Sequence, residues 1–293
     1  MKPRGSYRRG LFGMTAPFLF GMTSLILVPM VVTIVLAFTR FDPFTPLTFV
    51  GSQTLRRILV DPEFQRSIST TGVFLAIVLP VRVFGALALA LLANGRGRLV
   101  SAMRLAVYSP TVVPDPATAL IWLWIVNPLY GPLGWIVRAF GGTPGPVLLD
   151  GGGALATIAA LSAFALGEGF LVMLATRREI PSMLYDAALV EGASRWRLFR
   201  GITFPLIAPT MALIAARDLL TSLQNALVPT ILLTHGGPVG ATKTLPYLIF
   251  ERGFLESSPA DGAAMAAYLF LGAFVLVAAV LVVRRMSSKD KAA

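Results

Sequence analysis

Long apolar runs separated by short stretches rich in Gly, Pro and charge dominate this sequence. Six of the runs reach the roughly 20 residues that a helix needs to cross a bilayer. They lie at about Leu11–Thr39, Ser69–Ala93, Leu105–Val126, Ala154–Thr176, Thr203–Leu233 and Asp261–Val283. The pattern predicts an all-α, polytopic helical bundle of about six transmembrane helices. Pro17, Pro29, Pro80, Pro205 and Pro209 fall inside the runs and predict kinks, which are tolerated where neighbours satisfy the freed carbonyls. Lys2, Arg4, Arg8 and Arg9 precede the first run as they would a secretory signal. That run is longer than a signal core and lacks a neat small-residue cleavage site, so it is read as a retained span.

Basic residues in short loops orient such a bundle. Sixteen of the 25 Lys and Arg fall in the N-terminal segment, in the second and fourth connections, and in the C-terminal tail. Seven fall in the other connections, and Arg82 and Arg217 lie within spans. Both termini are therefore expected in the cytoplasm. The layout expected is a basic N-terminus over residues 1–10, one transmembrane domain over 11–283, and a cytoplasmic tail over 284–293. The cytoplasmic connection 177–202 is much longer than a turn between two helices requires.

Composition supports the membrane reading. Hydrophobic residues make up 56% of the 293 and charged residues 13%, too few charges to wet a soluble surface, which carries about 25%. The net charge of +11 is thereby a matter of loop asymmetry, and no nucleic-acid partner is expected. There is no cysteine and a single histidine, His235, so neither thiolate nor imidazole metal clusters are expected. No metal site, no catalytic residue and no cofactor of the chain's own is expected.

The connection 177–202 carries the sharpest signal. Pro181 and Ser182 suit a helix start, and Leu184, Ala187, Ala188 and Glu191 then share one face at spacings of three and four. Gly192 suits the end of that short helix. Trp196 and Phe199 add an aromatic ridge among Arg195, Arg197 and Arg200.

Asp186-Ala187-Ala188, then Glu191-Gly192-Ala193, then Ile202-Thr203-Phe204-Pro205 resembles the cytoplasmic loop motif of ABC importer permeases, E-A-A, a three-residue step, G, and a downstream I-x-x-P. Asp186 and Glu191 each exchange the usual acid for the other and keep its charge. Further stretches are similar to the carbohydrate-uptake branch: Phe49-Val50-Gly51, Asp61-Pro62-Glu63-Phe64, Gly85 to Asn94, Arg104 to Pro110, Trp122 to Asn127, Leu174-Ala175 and Ile180-Pro181. Leu233-Thr234-His235-Gly236-Gly237-Pro238 resembles the L-T-x-G-G-P of the subunit class of the first maltose and glycerol-3-phosphate permeases.

The resemblance implies a multi-pass inner-membrane subunit of a binding-protein-dependent importer, with a short coupling helix between spans four and five. It implies a second homologous permease, an ABC ATPase dimer that binds ATP and Mg, and an extracytoplasmic solute-binding protein as partners. Tyr185, Asp186, Ala187, Ala188, Glu191, Gly192, Ala193, Trp196 and Phe199 are the implied ATPase-coupling surface. Gly236, Gly237 and Pro238 are a candidate contact loop for the binding protein.

Polar residues inside spans are costly, about 2.5–3.5 kcal/mol for a mid-bilayer charge on insertion scales, and so point to function. Arg82, Glu168, Gln224 and Asn225 are the candidate solute pathway; Arg82 with Glu168 is one candidate ion pair, and the pairing among Arg82, Glu168, Arg217 and Asp218 stays open. Arg82 or Arg217 would suit a phosphorylated cargo. Polar residues here also serve as glue between helices. Gly237 to Thr244 imitates a phosphate loop, but Thr242 occupies the place of its second Gly. A secondary transporter would favour broken helices in repeated halves, and no internal repeat is evident. A lipid-modifying enzyme would need a catalytic base or a metal-binding carboxylate cluster, and the sequence offers neither.

Overall fold

The computed structural model describes residues 4–42 and 45–289. They form helices throughout, with one two-stranded antiparallel hairpin, and divide into two compact units. The first comprises Met1–Gln65 with Leu248–Phe270, the second Arg66–Tyr247 with Leu271–Ala293. Among the described residues, four helices are long and apolar enough to cross a membrane: Gly13–Leu36, Pro62–Leu92, Arg195–Thr234 and Pro259–Val282. A bent pair, Gly151–Phe164 with Gly167–Glu179, qualifies jointly as a fifth.

In the first unit, α1 (Arg4–Met22) runs through a π turn at Thr23–Leu27 into α2 (Val28–Leu36). The π turn holds Leu25, four residues before Pro29, where the pyrrolidine ring would collide with the α-helical carbonyl. The hairpin β1 (Thr39–Asp42) and β2 (Thr45–Phe49) follows, with Thr39 opposite Phe49, and then α3 (Gln53–Val60). The Thr54 hydroxyl donates to the Thr39 carbonyl at 3.0 Å. Arg252 meets Glu63, Glu256 at 2.7 Å and Asp61 at 3.9 Å. Burial pulls its pKa down, but the carboxylates of Glu256 and Glu63 outweigh this and hold the guanidinium above its ordinary value.

The second unit is built on α4 (Pro62–Leu92), which enters it at Arg66. A small-residue stripe, Ala86 and Ala90 on α4 with Ala93 just past its end, packs with Val83 and Leu87 against Phe170, Met173 and Leu174 and against Ile207, Met211 and Ile214. Small residues let helix backbones approach closely in a membrane, where van der Waals packing replaces the hydrophobic drive. Gly169 serves the same end, since a Cβ there would stand 3.2 Å from the Ile214 side chain. Arg104 closes the end of α4, its Nη2 donating to the carbonyls of Ala93 at 2.7 Å and Gly95 at 2.6 Å.

Two expected spans differ from expectation. The third, Leu105–Val126, is not one helix: α5 (Arg98–Tyr108) gives way to a 3₁₀ turn at Ser109–Val112, and α6 (Asp115–Ile125) starts afresh. Proline explains the break. Val113 is extended (ψ 129°) before Pro114, as a residue preceding proline prefers. Pro116 then suits the first turn of α6. After α7 (Pro132–Ala139), the fourth expected span, Ala154–Thr176, is also broken, into α8 (Gly151–Phe164) and α9 (Gly167–Glu179) bent by 43°. A Cβ on Gly167 would come within 2.9 Å of the Tyr108 Cα and the Val107 carbonyl oxygen, so only glycine admits this approach of α9 to α5. Next come α10 (Ser182–Val190), α11 (Arg195–Leu198), a π turn at Phe199–Thr203 ahead of Pro205, and α12 (Phe204–Asn225).

Candidate functional site

The break in the fourth span creates a polar pocket. Its first consequence is a free helix end: Leu166 N–H turns to the Phe164 carbonyl, leaving the Ser162 carbonyl without its α-helical donor. Arg82 of α4 supplies one, donating from Nη1 to the Ser162 oxygen at 3.1 Å. A cation suits the C-terminal end of α8, where carbonyl dipoles accumulate negative potential. The second consequence is a new helix start, and Glu168 occupies the first turn of α9, where the dipole favours a carboxylate.

This placement separates Arg82 from Glu168 and overturns their candidate pairing. Arg82 Nη2 instead contacts Asp218 Oδ1 of α12 at 3.4 Å, both side chains being almost wholly buried. Glu168 pairs with Arg217, and Arg217 Nη1 also reaches Asp218 Oδ1 at 3.2 Å. The result is a chain of four charges, Glu168–Arg217–Asp218–Arg82, with its outer pair half exposed and its inner pair dry.

A cavity of about 170 Å³ opens beside this chain. Three of the four pathway candidates, Arg82, Glu168 and Asn225, line it together with Asp115, Ser162, Arg217 and Ser222. Gln224 is exposed on the same helix and does not line the cavity. Arg82 Nε, Ser162 Oγ and Ser222 Oγ are buried and have no protein partner. Buried polar groups are almost always hydrogen-bonded, but these three atoms have almost no accessible surface and stay behind the cavity wall. Sequence reading left the partner of Asp218 open and missed Ser162 and Ser222 as lining. A usable signal existed for α12, where Asp218, Ser222 and Asn225 recur at steps of four and three, a polar stripe on an apolar span.

A second site lies on α10, whose residues carry no buried side chain. Its end is a full Schellman closure: Ala193 N–H donates to Ala188 O at 2.9 Å and Gly192 N–H to Leu189 O at 3.0 Å, with Gly192 at φ +75°. Ser194 caps α11 by accepting from Arg197 N–H at 3.3 Å. Trp196 and Phe199 stack with ring centres 5.5 Å apart, and Phe199 touches Phe204. The Tyr185 hydroxyl is 2.8 Å from Thr203 Oγ1, and Arg177 lies 4.4 Å over the Tyr185 ring. Thus α10 is tied to the base of α12. Met183, Leu184, Leu189, Val190 and Trp196 stay exposed around Asp186, Ala187 and Glu191. Beside α10 a cavity of about 780 Å³ is lined by Arg96, Arg104, Arg177 and Arg178.

The Gly236–Pro238 loop follows α13 (Leu227–Pro229) and a π turn at Thr230–Thr234. It is pinned from within: Thr242 Oγ1 donates to Gly237 O at 2.7 Å and lies 2.7 Å from Thr234 Oγ1. Gly236 is buried, since a Cβ would come within 2.8 Å of the Tyr247 ring, while Gly237 and Pro238 are half-buried. The fully exposed tip is Val239.

The family described as binding-protein-dependent transport system inner membrane component matches residues 83–288. The sn-glycerol-3-phosphate transport system permease protein UgpA of Agrobacterium fabrum is 30% identical over 231 residues, 78% of each chain. The trehalose/maltose transport system permease protein MalF of Thermococcus litoralis is 29% identical over 255 residues, 84% of each chain. A chain in the crystal structure of a bacterial ABC transporter involved in the import of the acidic polysaccharide alginate shares the fold, with a TM-score of 0.82 at 21% identity over 96% of both chains.

Proposed function

The chain belongs to the family of binding-protein-dependent transport system inner membrane components, and from that premise we propose that it forms half the translocation path of an ATP-driven importer for a sugar-like solute. It is a multi-pass membrane protein and a transport subunit. In our reading a second homologous permease supplies the other half of the path, and a cytoplasmic ABC ATPase dimer supplies ATP, Mg and hydrolysis. An extracytoplasmic binding protein delivers the solute. The subunit sits in the inner membrane with both termini in the cytoplasm, as the loop charges favour. Permeases for trehalose/maltose and for starch degradation products among the relatives support the sugar-like cargo.

The observation that carries the proposal is the state of α10. A short helix, closed at Gly192 and tethered to the start of α12 through Tyr185 and Thr203, displays apolar side chains that nothing among the described residues covers. Such a helix transmits a push. Docked in a groove on the ATPase, it converts nucleotide-driven closure into movement of α12, a two-state element biased by ATP. Tyr185, Asp186, Ala187, Ala188, Glu191, Gly192, Ala193, Trp196 and Phe199 form the docking surface and its support. Val239 and the Gly236–Pro238 loop behind it form the contact with the binding protein.

Affinity purification from native membranes in mild detergent tests this. The expected result is co-recovery of a second permease and an ABC ATPase. A Gly192→Trp variant, whose side chain would enter open space, should lose the ATPase and keep its membrane insertion. Recovery without any ATPase would remove the proposal.

A further inference from the structure

The 780 Å³ cavity beside α10 is lined by four arginines, with Asn94, Ile180, Ser182 and Tyr185, and no carboxylate lines it with them. We propose that this cavity binds the phosphate of an anionic phospholipid at the root of α10. The site requires only that the chain lies in a membrane, whatever the chain transports.

Positive charge here lacks a counter-charge. Arg96 and Arg178 are exposed and make no hydrogen bond or ion pair among the described residues. Arg104 is held by carbonyls: Nε at 3.1 Å and Nη2 at 2.7 Å donate to Ala93, and Nη2 donates to Gly95 at 2.6 Å. Carbonyls fix the guanidinium in place and leave its charge whole. Arg177 lies 4.4 Å over the Tyr185 ring, which orients the cation without neutralising it. The acids that flank these residues in sequence, Glu179 and Asp186, are exposed, do not line the cavity and form no ion pair among the described residues. At the other cavity Glu168 and Asp218 meet the arginines; here nothing does. Ser182 opens α10, whose amino end adds partial positive charge. Clustered guanidiniums bind phosphate oxygens through paired N–H donors. The volume falls within the range of about 300–1,000 Å³ common to small-molecule sites.

A lipid supplies that phosphate because of α5. Val100, Met103 and Val107 of α5 pack on the buried core, while Leu99 and Leu105 of the same helix are exposed, as is Leu92 at the end of α4. A helix that is apolar on both faces belongs in hydrocarbon. Arg96 and Arg104 therefore stand where acyl-covered surface gives way to charge. A phospholipid satisfies both, its chains along the leucines and its phosphate on the arginines, whereas free phosphate satisfies only the arginines. Basic pockets between spans at the membrane surface bind anionic headgroups in this way. Because Tyr185, beneath Arg177, also meets Thr203 through its hydroxyl, an occupant braces the root of α10.

The purified full-length chain in neutral detergent is titrated with three probes: phosphatidylglycerol, phosphatidylcholine with the same acyl chains, and inorganic phosphate. Native mass spectrometry reads retained lipid, and the thermal unfolding midpoint reads stability. Phosphatidylglycerol should be held at least about twentyfold more tightly than phosphatidylcholine and should raise the midpoint, which inorganic phosphate should not. Arg96→Gln with Arg178→Gln should lower that affinity about twentyfold, the combined weight of two basic residues near an anionic headgroup. The lipid-free midpoint should hold, because neither side chain has a described partner to lose. Arg195→Gln with Arg197→Gln, equally exposed but off the cavity, should leave lipid affinity unchanged. Equal affinity for the two lipids overturns the inference, and so does an equal loss in the Arg195/Arg197 variant. A midpoint rise as large with inorganic phosphate would replace the lipid by a free anion. An Arg96/Arg178 variant that keeps phosphatidylglycerol but loses an ATPase from a pull-down would give the cavity to the ATPase and remove the lipid. The lipid titrations contain no ATPase, so failure of the importer reading would leave their outcome untouched.

Discussion

The coupling helix and the polar cavity handle their difficult groups in opposite ways. On α10 the groups out of place are apolar: Val190 is 90% and Met183 74% exposed, and nothing among the described residues covers them. At the cavity they are charged, and Arg82 and Asp218 are almost wholly buried but lie against each other at 3.4 Å. An exposed apolar face awaits a partner, whereas a buried ion pair requires none. The two sites therefore answer to different perturbations. Changes at α10 should disturb assembly with little effect on the chain's own stability, and changes at the charge chain should unfold it.

The largest effect is expected at the buried pair. Asp218→Ala leaves Arg82 dry and uncompensated, a loss of about 3–5 kcal/mol where a buried charge is orphaned. Detergent-unfolding titration of the purified chain should show it. Exchanging the two, Arg82→Asp with Asp218→Arg, should recover much of the loss. Recovery by an Arg82/Glu168 exchange instead would restore the pairing read from sequence.

That reversal shows what sequence made legible. The loop motif is local: Pro181, the Ala187–Ala188 step, Gly192 and Pro205 act within one or two helical turns, and α10 forms and ends where they place it. The charge pairing is not local. Arg82 and Asp218 are 136 residues apart, and their meeting depends on the break of the fourth span at Ala165–Leu166. Hydropathy averaged over a span's length hides that break, although Gly167-Glu168-Gly169 interrupts the apolar run directly after it. Its cause, close approach of Gly167 to α5, is itself a tertiary contact. The third span failed for a more readable reason, three prolines within seven residues, Pro110, Pro114 and Pro116.

The break can be tested directly. Gly167→Ala drives a methyl against the backbone of Val107 and Tyr108, and neither can yield as a side chain would. Overpacking of this kind costs about 1–3 kcal/mol. Because the shifted break carries Glu168 and the Ser162 carbonyl with it, transport should fall along with stability.

A smaller effect is expected at α10. Gly192→Val puts a β-branched residue at φ +75° in open space, so only conformational strain acts, about 1–2 kcal/mol. The Schellman closure should loosen and ATPase retention in a pull-down should drop. Global unfolding should barely move, since α10 packs on little else.

The smallest effect separates the two halves of the charge chain. Arg217 and Glu168 are half exposed, 45% and 51% by side chain, so solvent screens their attraction and an exposed pair of this kind is worth about 0–1 kcal/mol. Arg217→Gln should therefore leave the unfolding midpoint almost where it was, in contrast to Asp218→Ala one residue away. Its consequence is electrostatic: Glu168 loses its partner and the cavity wall becomes more negative. A large loss of stability from Arg217→Gln would mean that the outer pair is as dry as the inner one and that the four charges act as a single buried unit.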